Sequence, residues 1–429
     1  MKKTLLLVTI LATLLGSAFA AQPAFTLKDN DTWVMAGDSI TAQRLHTNYI
    51  EAFFRTRFPQ LNLHFRNSGI GGNTAASVIG RFDYDVAAWN PTIVSVELGM
   101  NDVGGSVTNY LLGMTKLVEQ IRTLKAAPVL ISSSPVNDGS VMDAWTSDRC
   151  RYIHTFTETL KELGQKENVR MVDQYHPLLA LWGPNKLIDD ANAFAARVRL
   201  LKPADNVTDL KTLQAFAGEW GSKHAGVALG GDGVHPGPVG QYTMAATILA
   251  GLDVDREVSS ATIKPDGTVV DAKRCKISDS AAKDGKLTFT RLDERSPWPL
   301  APEAIAAAAL LPEIADLSRY ILTVPGLAAG QYSVTMDGKP VATLSDKELA
   351  KGWNMSTLRQ GPLGDRADKI NGLIYSLQNP LNANWRAASK DKSQEKLAVA
   401  QKAIDETEAK LQAAVQPVAI HFEIAPVVK

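Results

Sequence analysis

The chain has only two cysteines, Cys150 and Cys275, in 429 residues. That excludes a disulfide-rich scaffold, and without clustered histidines it excludes a cysteine-based zinc site. The two thiols either form one bridge joining the two halves of the chain or lie buried apart, and both readings stay open. Excess charge of one sign is also lacking: 45 basic residues face 45 acidic ones. Nothing here calls for nucleic acid or an anionic membrane surface as partner. Internal repeats and low-complexity tracts are missing. So is any long apolar run after the N-terminus, which argues against a transmembrane anchor.

The N-terminus reads as a targeting segment. Lys2 and Lys3 form a positive start, Leu5 to Leu15 an apolar stretch, and Ala18-Phe19-Ala20 a small-x-small cleavage site. Residues 1–20 are therefore expected to be removed, leaving a mature chain from Ala21, exported and either periplasmic or secreted. Removal takes two lysines from the balanced total and leaves a net charge of −2.

About 400 residues exceed one ordinary core, which predicts two units. Residues 21–254 alternate strands and helices. Strands are expected at Thr32–Ala36, Leu61–Arg66, Ile93–Leu98, Val129–Ser132 and Val169–Val172. Helices are expected at His46–Phe58, Val107–Leu124, Trp145–Gln165 and Gln241–Leu252. Such alternation predicts an α/β fold with a parallel sheet covered on both faces and a ligand site at the strands' carboxyl ends. Trp182 to Gly230 reads as a loose excursion over that edge. Residues 255–429 change character. Turn signals at Lys264-Pro265-Asp266-Gly267 and Met336-Asp337-Gly338-Lys339 sit among β-rich runs. A helical tail follows with Leu397, Ala400, Ile404, Leu411 and Val415 on one docking face, and Val418–Ile424 alternates like a closing strand.

Four segments carry the chemistry: Gly37-Asp38-Ser39-Ile40, Asn67-Ser68-Gly69-Ile70-Gly71-Gly72-Asn73, Gly99-Met100-Asn101-Asp102 and Asp232-Gly233-Val234-His235-Pro236. A bare Gly-Asp-Ser is expected only ~0.1 times by chance in a chain of this length, and four such blocks in order are far rarer. Ser39 sits where a strand turns into a helix, as a nucleophile or merely as a helix cap. His235 can take its proton, and Asp232, three residues earlier, can orient the imidazole. His224 is a weaker competitor for the base because it lacks that local setting. An oxyanion needs several donors at once. The Ser39 N–H, the Gly72 N–H and the Asn101 amide are the candidates; a plain turn at Gly72 and an Asx turn at Asn101 are the bland readings. Asp38 and Asp102 are expected to brace loops.

These blocks resemble those of the SGNH, or GDSL-type, hydrolase superfamily over roughly Asp31 to Leu252. The resemblance places the nucleophile on Ser39, the oxyanion residues on Gly72 and Asn101, and the acid–base pair on Asp232 and His235. It implies a three-layer α/β/α flavodoxin-like domain of about five parallel strands. It also implies hydrolysis of esters or thioesters with no metal or organic cofactor. The C-terminal extension goes beyond the basic family fold. Export favours a carbohydrate O-acetylesterase or short-chain esterase, acting on a small-molecule or polysaccharide ester. The alternatives are a lysophospholipase- or thioesterase-type lipid hydrolase, and a non-catalytic glycan-binding protein on the same fold.

Overall fold

Strands β1 (Thr32–Gly37), β2 (His64–Gly69), β3 (Ile93–Glu97), β4 (Ala127–Ile131) and β5 (Arg170–Val172) form one parallel sheet in the order β2-β1-β3-β4-β5. The mostly apolar runs of β1, β3 and β4 suit it, since a parallel strand covered on both faces has no solvent side to fill with polar residues; every residue of β3 is buried. The computed structural model describes residues 25–136, 148–181, 234–302 and 312–427, with isolated positions 202, 210, 211, 214, 215 and 304. Residues 1–20, most of the Trp182–Gly230 excursion, His224 and Asp232 lie outside the described residues.

Register decides where the site can be. Gly37 pairs with Gly69 on one side and with Glu97 on the other. The three motif segments that follow these residues therefore leave the sheet side by side, from its carboxyl edge. Helices α1 (Ser39–Ala42), α2 (His46–Arg57), α3 (Ala75–Asp85), α4 (Val107–Thr123), α5 (Asp148–Glu167) and α6 (Pro238–Gly251) connect and cover the strands. α2 packs on α6, and α4 packs on both α3 and α5.

Most of the expected elements fall within one to three residues of their predicted limits. β2 is displaced furthest, running on to Gly69. Asn67 and Ser68 look too polar for a buried strand, yet both are satisfied inside it. Asn67 Nδ2 donates to Thr41 O (2.7 Å) and Thr47 Oγ1 (2.9 Å), and Ser68 Oγ donates to Asp85 O (2.7 Å).

Past residue 255 a second buried cluster forms between two sheets, ordered β13-β10-β6-β7 and β12-β11-β14-β9-β8. They comprise β6 (Glu257–Ile263), β7 (Val269–Lys273), β8 (Cys275–Lys283), β9 (Lys286–Asp293), β10 (Arg319–Thr323), β11 (Gln331–Met336), β12 (Lys339–Ser345), β13 (Trp353–Asn354) and β14 (Ile420–Pro426). Between β13 and β14 run helices α7 (Gly361–Ser376), α8 (Asn382–Lys390) and α9 (Gln394–Val415). α7 and α8 are joined by a π-helical turn at Leu377–Leu381 that accommodates Pro380.

These helices belong to the core of the α/β layer. Ile370, Ile374, Leu377, Ile404, Leu411 and Val415 share its buried cluster, and Trp385 stacks on Trp89. They also cover the open edge of β2. Gln378 Oε1 accepts from Asn67 N (3.2 Å), Gln378 Nε2 donates to Phe65 O (2.9 Å), and Arg386 Nη2 donates to Asn67 O (2.8 Å). An uncovered row of strand amides and carbonyls invites pairing with another chain. Here side chains complete the ladder instead. Glu408 of α9 anchors the layer, accepting from Arg66 Nη1 (2.7 Å), Arg55 Nη2 (3.5 Å) and His64 Nδ1 (2.8 Å). This explains why eleven of the twelve residues of α2 are buried although several are charged: the helix is covered on both sides.

The two thiols are separate. Cys150 is buried with Sγ toward Val136 O (3.5 Å), and Cys275 lies beside Ser260 O (3.4 Å). Of the two readings left open, the bridge is not realised. Among the described residues no helix is long and apolar enough to cross a membrane.

Candidate active site

Ser39 is the first residue of α1, and Asp38 caps that helix: its Oδ1 accepts the Ile40 N–H at 2.9 Å. The cap role that Ser39 could have filled is thus taken by its neighbour, leaving Ser39 Oγ for other partners. The turn depends on close approach. A Cβ on Gly69 would come within 2.4 Å of Ala42 N, so only glycine lets α1 lie on the end of β2.

Beyond β2 the loop rises beside the serine. Gly71 approaches it so nearly that a Cβ there would lie 3.9 Å from Ser39 Cβ. Gly72 has φ +73°, the left-handed region that favours glycine, and a Cβ on it would meet nothing within 4 Å among the described residues. Asn101 Nδ2 donates to Asn73 O (3.1 Å), which ties the third motif to the second. Asp102 Oδ1 accepts from Ala75 N (3.1 Å) at the start of α3. Both aspartates therefore brace loops as expected. Burial lifts the Asp102 carboxyl above its ordinary range, against the backbone N–H groups that stabilise its anion.

Arg81, which no motif includes, braces the rest. Its Nε donates to Asn73 Oδ1 (2.7 Å) and its Nη2 to Ser68 O (2.6 Å), while Nη1 pairs with Asp85. Arg386 from α8 binds the other oxygen of Asp85. The C-terminal extension therefore reaches within two side chains of the Gly69–Asn73 loop.

His235 Nε2 lies 2.7 Å from Ser39 Oγ. Residues 196 positions apart are brought into hydrogen-bond contact, as a nucleophile and its base require. Pro238 at the start of α6 stiffens the exit of the His235 loop, where its missing N–H costs nothing. Of the sequence-predicted residues the structure thus gathers Ser39, Gly72, Asn101 and His235 at one edge of the sheet.

Beside α1 lies a buried polar group that the motifs did not reveal: His46, Glu97 and Gln241. Its signal in the sequence was slight, one acid near the end of the Ile93–Leu98 run. Burial, reinforced by Glu97, pushes the Asp38 carboxyl up to about 7, against the Ile40 N–H and the charges of His235 and His46. Burial alone would lower the His46 imidazole, but the charge and hydrogen bond of Glu97, with Gln241, hold it above the usual histidine value.

One described cluster has ligand-type atoms for a metal: His154 and Glu158, a turn apart on α5, and His176. The Lys161 ammonium already sits against Glu158 Oε1 and Asp173 Oδ2, both at 2.8 Å, and supplies the positive charge there.

Residues 35–191 match the GDSL-like lipase/acylhydrolase family. A 55-residue stretch, 13% of the chain, is 36% identical to an acetylxylan esterase of Geobacillus stearothermophilus. The chain spans about a quarter of that relative's length (25%). Among solved structures, a gut microbial diltiazem-metabolizing enzyme superposes with a TM-score of 0.73 at 20% identity, over 95% of this chain and all of the other (100%). That likeness shows a shared fold, extension included. An acetylxylan esterase structure from G. stearothermophilus gives a TM-score of only 0.39 at 19% identity, over 54% of this chain and 98% of its own. The family match over residues 35–191, the five-stranded parallel sheet and the order of the motifs together support the SGNH, or GDSL-type, hydrolase superfamily for the α/β part of this chain.

Proposed function

We propose that this protein is an exported serine ester hydrolase that removes short acyl groups, acetyl above all, from carbohydrates. The observation that carries the reading is the 2.7 Å contact between His235 Nε2 and Ser39 Oγ, set beside the glycine loop that follows β2. Ser39 Oγ attacks the ester carbonyl as His235 takes its proton. The oxyanion that forms is held by the N–H groups of Ser39 and Gly72 and by Asn101 Nδ2. His235 returns the proton to the leaving sugar oxygen, and an acyl-Ser39 ester remains. Water, activated by the same imidazole, then releases the acid and restores the serine. Asp232 is assigned as the acid of the triad, the group that would orient the His235 imidazole. No step requires a metal or an organic cofactor.

The acetyl-carbohydrate reading is supported by the signal-like sequence of residues 1–20, which fits a substrate outside the cytoplasm, and by the relative named as an acetylxylan esterase. The test is hydrolysis of p-nitrophenyl esters from acetate to octanoate by the mature protein and by Ser39→Ala, followed by acetate release from acetylated xylan. The expected result is serine-dependent activity that falls steeply beyond acetate. Rates that rise with chain length would replace the carbohydrate by a lipid. Undiminished hydrolysis by Ser39→Ala would sink the mechanism.

A further inference from the structure

The buried group beside α1 has a geometry that fixes its protons. Gln241 Nε2 donates to Ile40 O (3.4 Å) and to Gln43 Oε1, so the amide oxygen is turned toward His46. That oxygen accepts the His46 backbone N–H (3.1 Å) and faces His46 Nδ1 at 2.7 Å, so Nδ1 carries a proton. His46 Nε2 lies 2.9 Å from Glu97 Oε2 and must donate there too. With Glu97 as the carboxylate, both ring nitrogens donate and His46 is the imidazolium of an ion pair. The second Glu97 oxygen accepts Gln174 Nε2 (2.8 Å), and all four residues are buried.

We propose that Gln241, anchored by the His46–Glu97 ion pair, is a positioning residue that sets Ser39 against His235. The connection is direct. Ser39 rides on α1, whose Ile40 carbonyl and following Gln43 are held by Gln241. His235 rides on the loop that enters α6, the helix to which Gln241 itself belongs. Gln241 thus joins the two halves of the reacting pair, and His46 and Glu97 fix it to the central strand of the sheet. Desolvating such an ion pair offsets most of its attraction, and apolar side chains would stabilise the layer as well. What the charged arrangement adds is one defined orientation for Gln241. This reading deepens the proposed mechanism and rests on it.

The test is Gln241→Met, which keeps length and volume and removes both hydrogen-bonding ends, with Gln241→Glu as a milder variant should the first fail to fold. With p-nitrophenyl acetate, kcat per folded molecule is expected to fall at least tenfold with KM within twofold of the wild type. A crystal structure of the variant is expected to show Ser39 Oγ and His235 Nε2 beyond hydrogen-bond distance. A folded variant with wild-type kcat, or with the pair still in contact, overturns the proposal. A purely structural role would lower Tm and leave kcat unchanged. Wild-type protein with no Ser39-dependent hydrolysis would end the functional reading alone, because the crystallographic distance still decides the clamp.

Discussion

Asp38 is the most instructive perturbation, because it sits in the nucleophile motif and is held against its own chemistry. Only 3% exposed, with Glu97 nearby, its carboxyl is pushed from 3.8 to about 7. A carboxyl whose folded pKa is raised binds its proton more tightly in the native state. Its contribution to stability is therefore complete below pH 3.8 and is lost as pH rises toward 7 and beyond. A shift of this size corresponds to about 4 kcal/mol at 1.36 kcal/mol per unit. Asp38→Asn keeps an oxygen for the Ile40 N–H, since Asn caps helices as well as Asp, and it never ionises. The variant should match the wild type near pH 4 and exceed it by up to about 4 kcal/mol at pH 8. The assay is chemical denaturation of both proteins from pH 4 to 8, followed by circular dichroism. A stability difference that stays constant across that range would refute the reasoning, because a lost contact has no such pH slope. A less stable variant at pH 8 would show that the Asp38 anion is stabilised, not strained.

Glu408 should behave in the opposite sense. Burial would raise its carboxyl, but His64, Arg66 and Arg55 hold it at about 2, so its contribution is present above 4.5 and disappears as pH falls toward 2. Wild type should lose about 3 kcal/mol more than Glu408→Gln between pH 5 and 2, read from acid-dependent urea midpoints; parallel curves would contradict this. Asn101→Ala should lower kcat roughly a hundredfold if its amide stabilises the oxyanion, and steady-state kinetics that moved KM alone would place Asn101 in substrate binding.

The α/β layer was legible because β1, β3 and β4 are mostly apolar and the motifs at the ends of β1, β2 and β3 each carry a glycine. The same logic failed at α3, where Gly80 lies within the helix and the preceding loop is glycine-rich. Helices α7 and α8 were not anticipated, because Pro362, Gly364, Gly372 and Pro380 interrupt the helical pattern there. Pro362 lies in the first turn, where proline is tolerated, and Pro380 falls in a π turn. β7 is exposed at every position and offered no alternation to detect. The apolar stripe of α9 did announce a docking face, though not that the face meets the α/β layer. In the site, Ser39, Gly72, Asn101 and His235 were legible because each lies in a short local pattern. His46, Glu97 and Gln241 were not, because their partnership spans 195 residues and is expressed only in three dimensions.

The position of β14 has a consequence for the order of assembly. It follows every other described element in the chain, yet it lies between β11 and β9, pairing with both. During synthesis β8, β9, β11 and β12 emerge first, as two hairpins with facing edges and nothing to join them. The sheet can close only after α9 has been made and residues 420–426 have followed it. The extension thus acquires its middle last, after the α/β layer has its strands in hand.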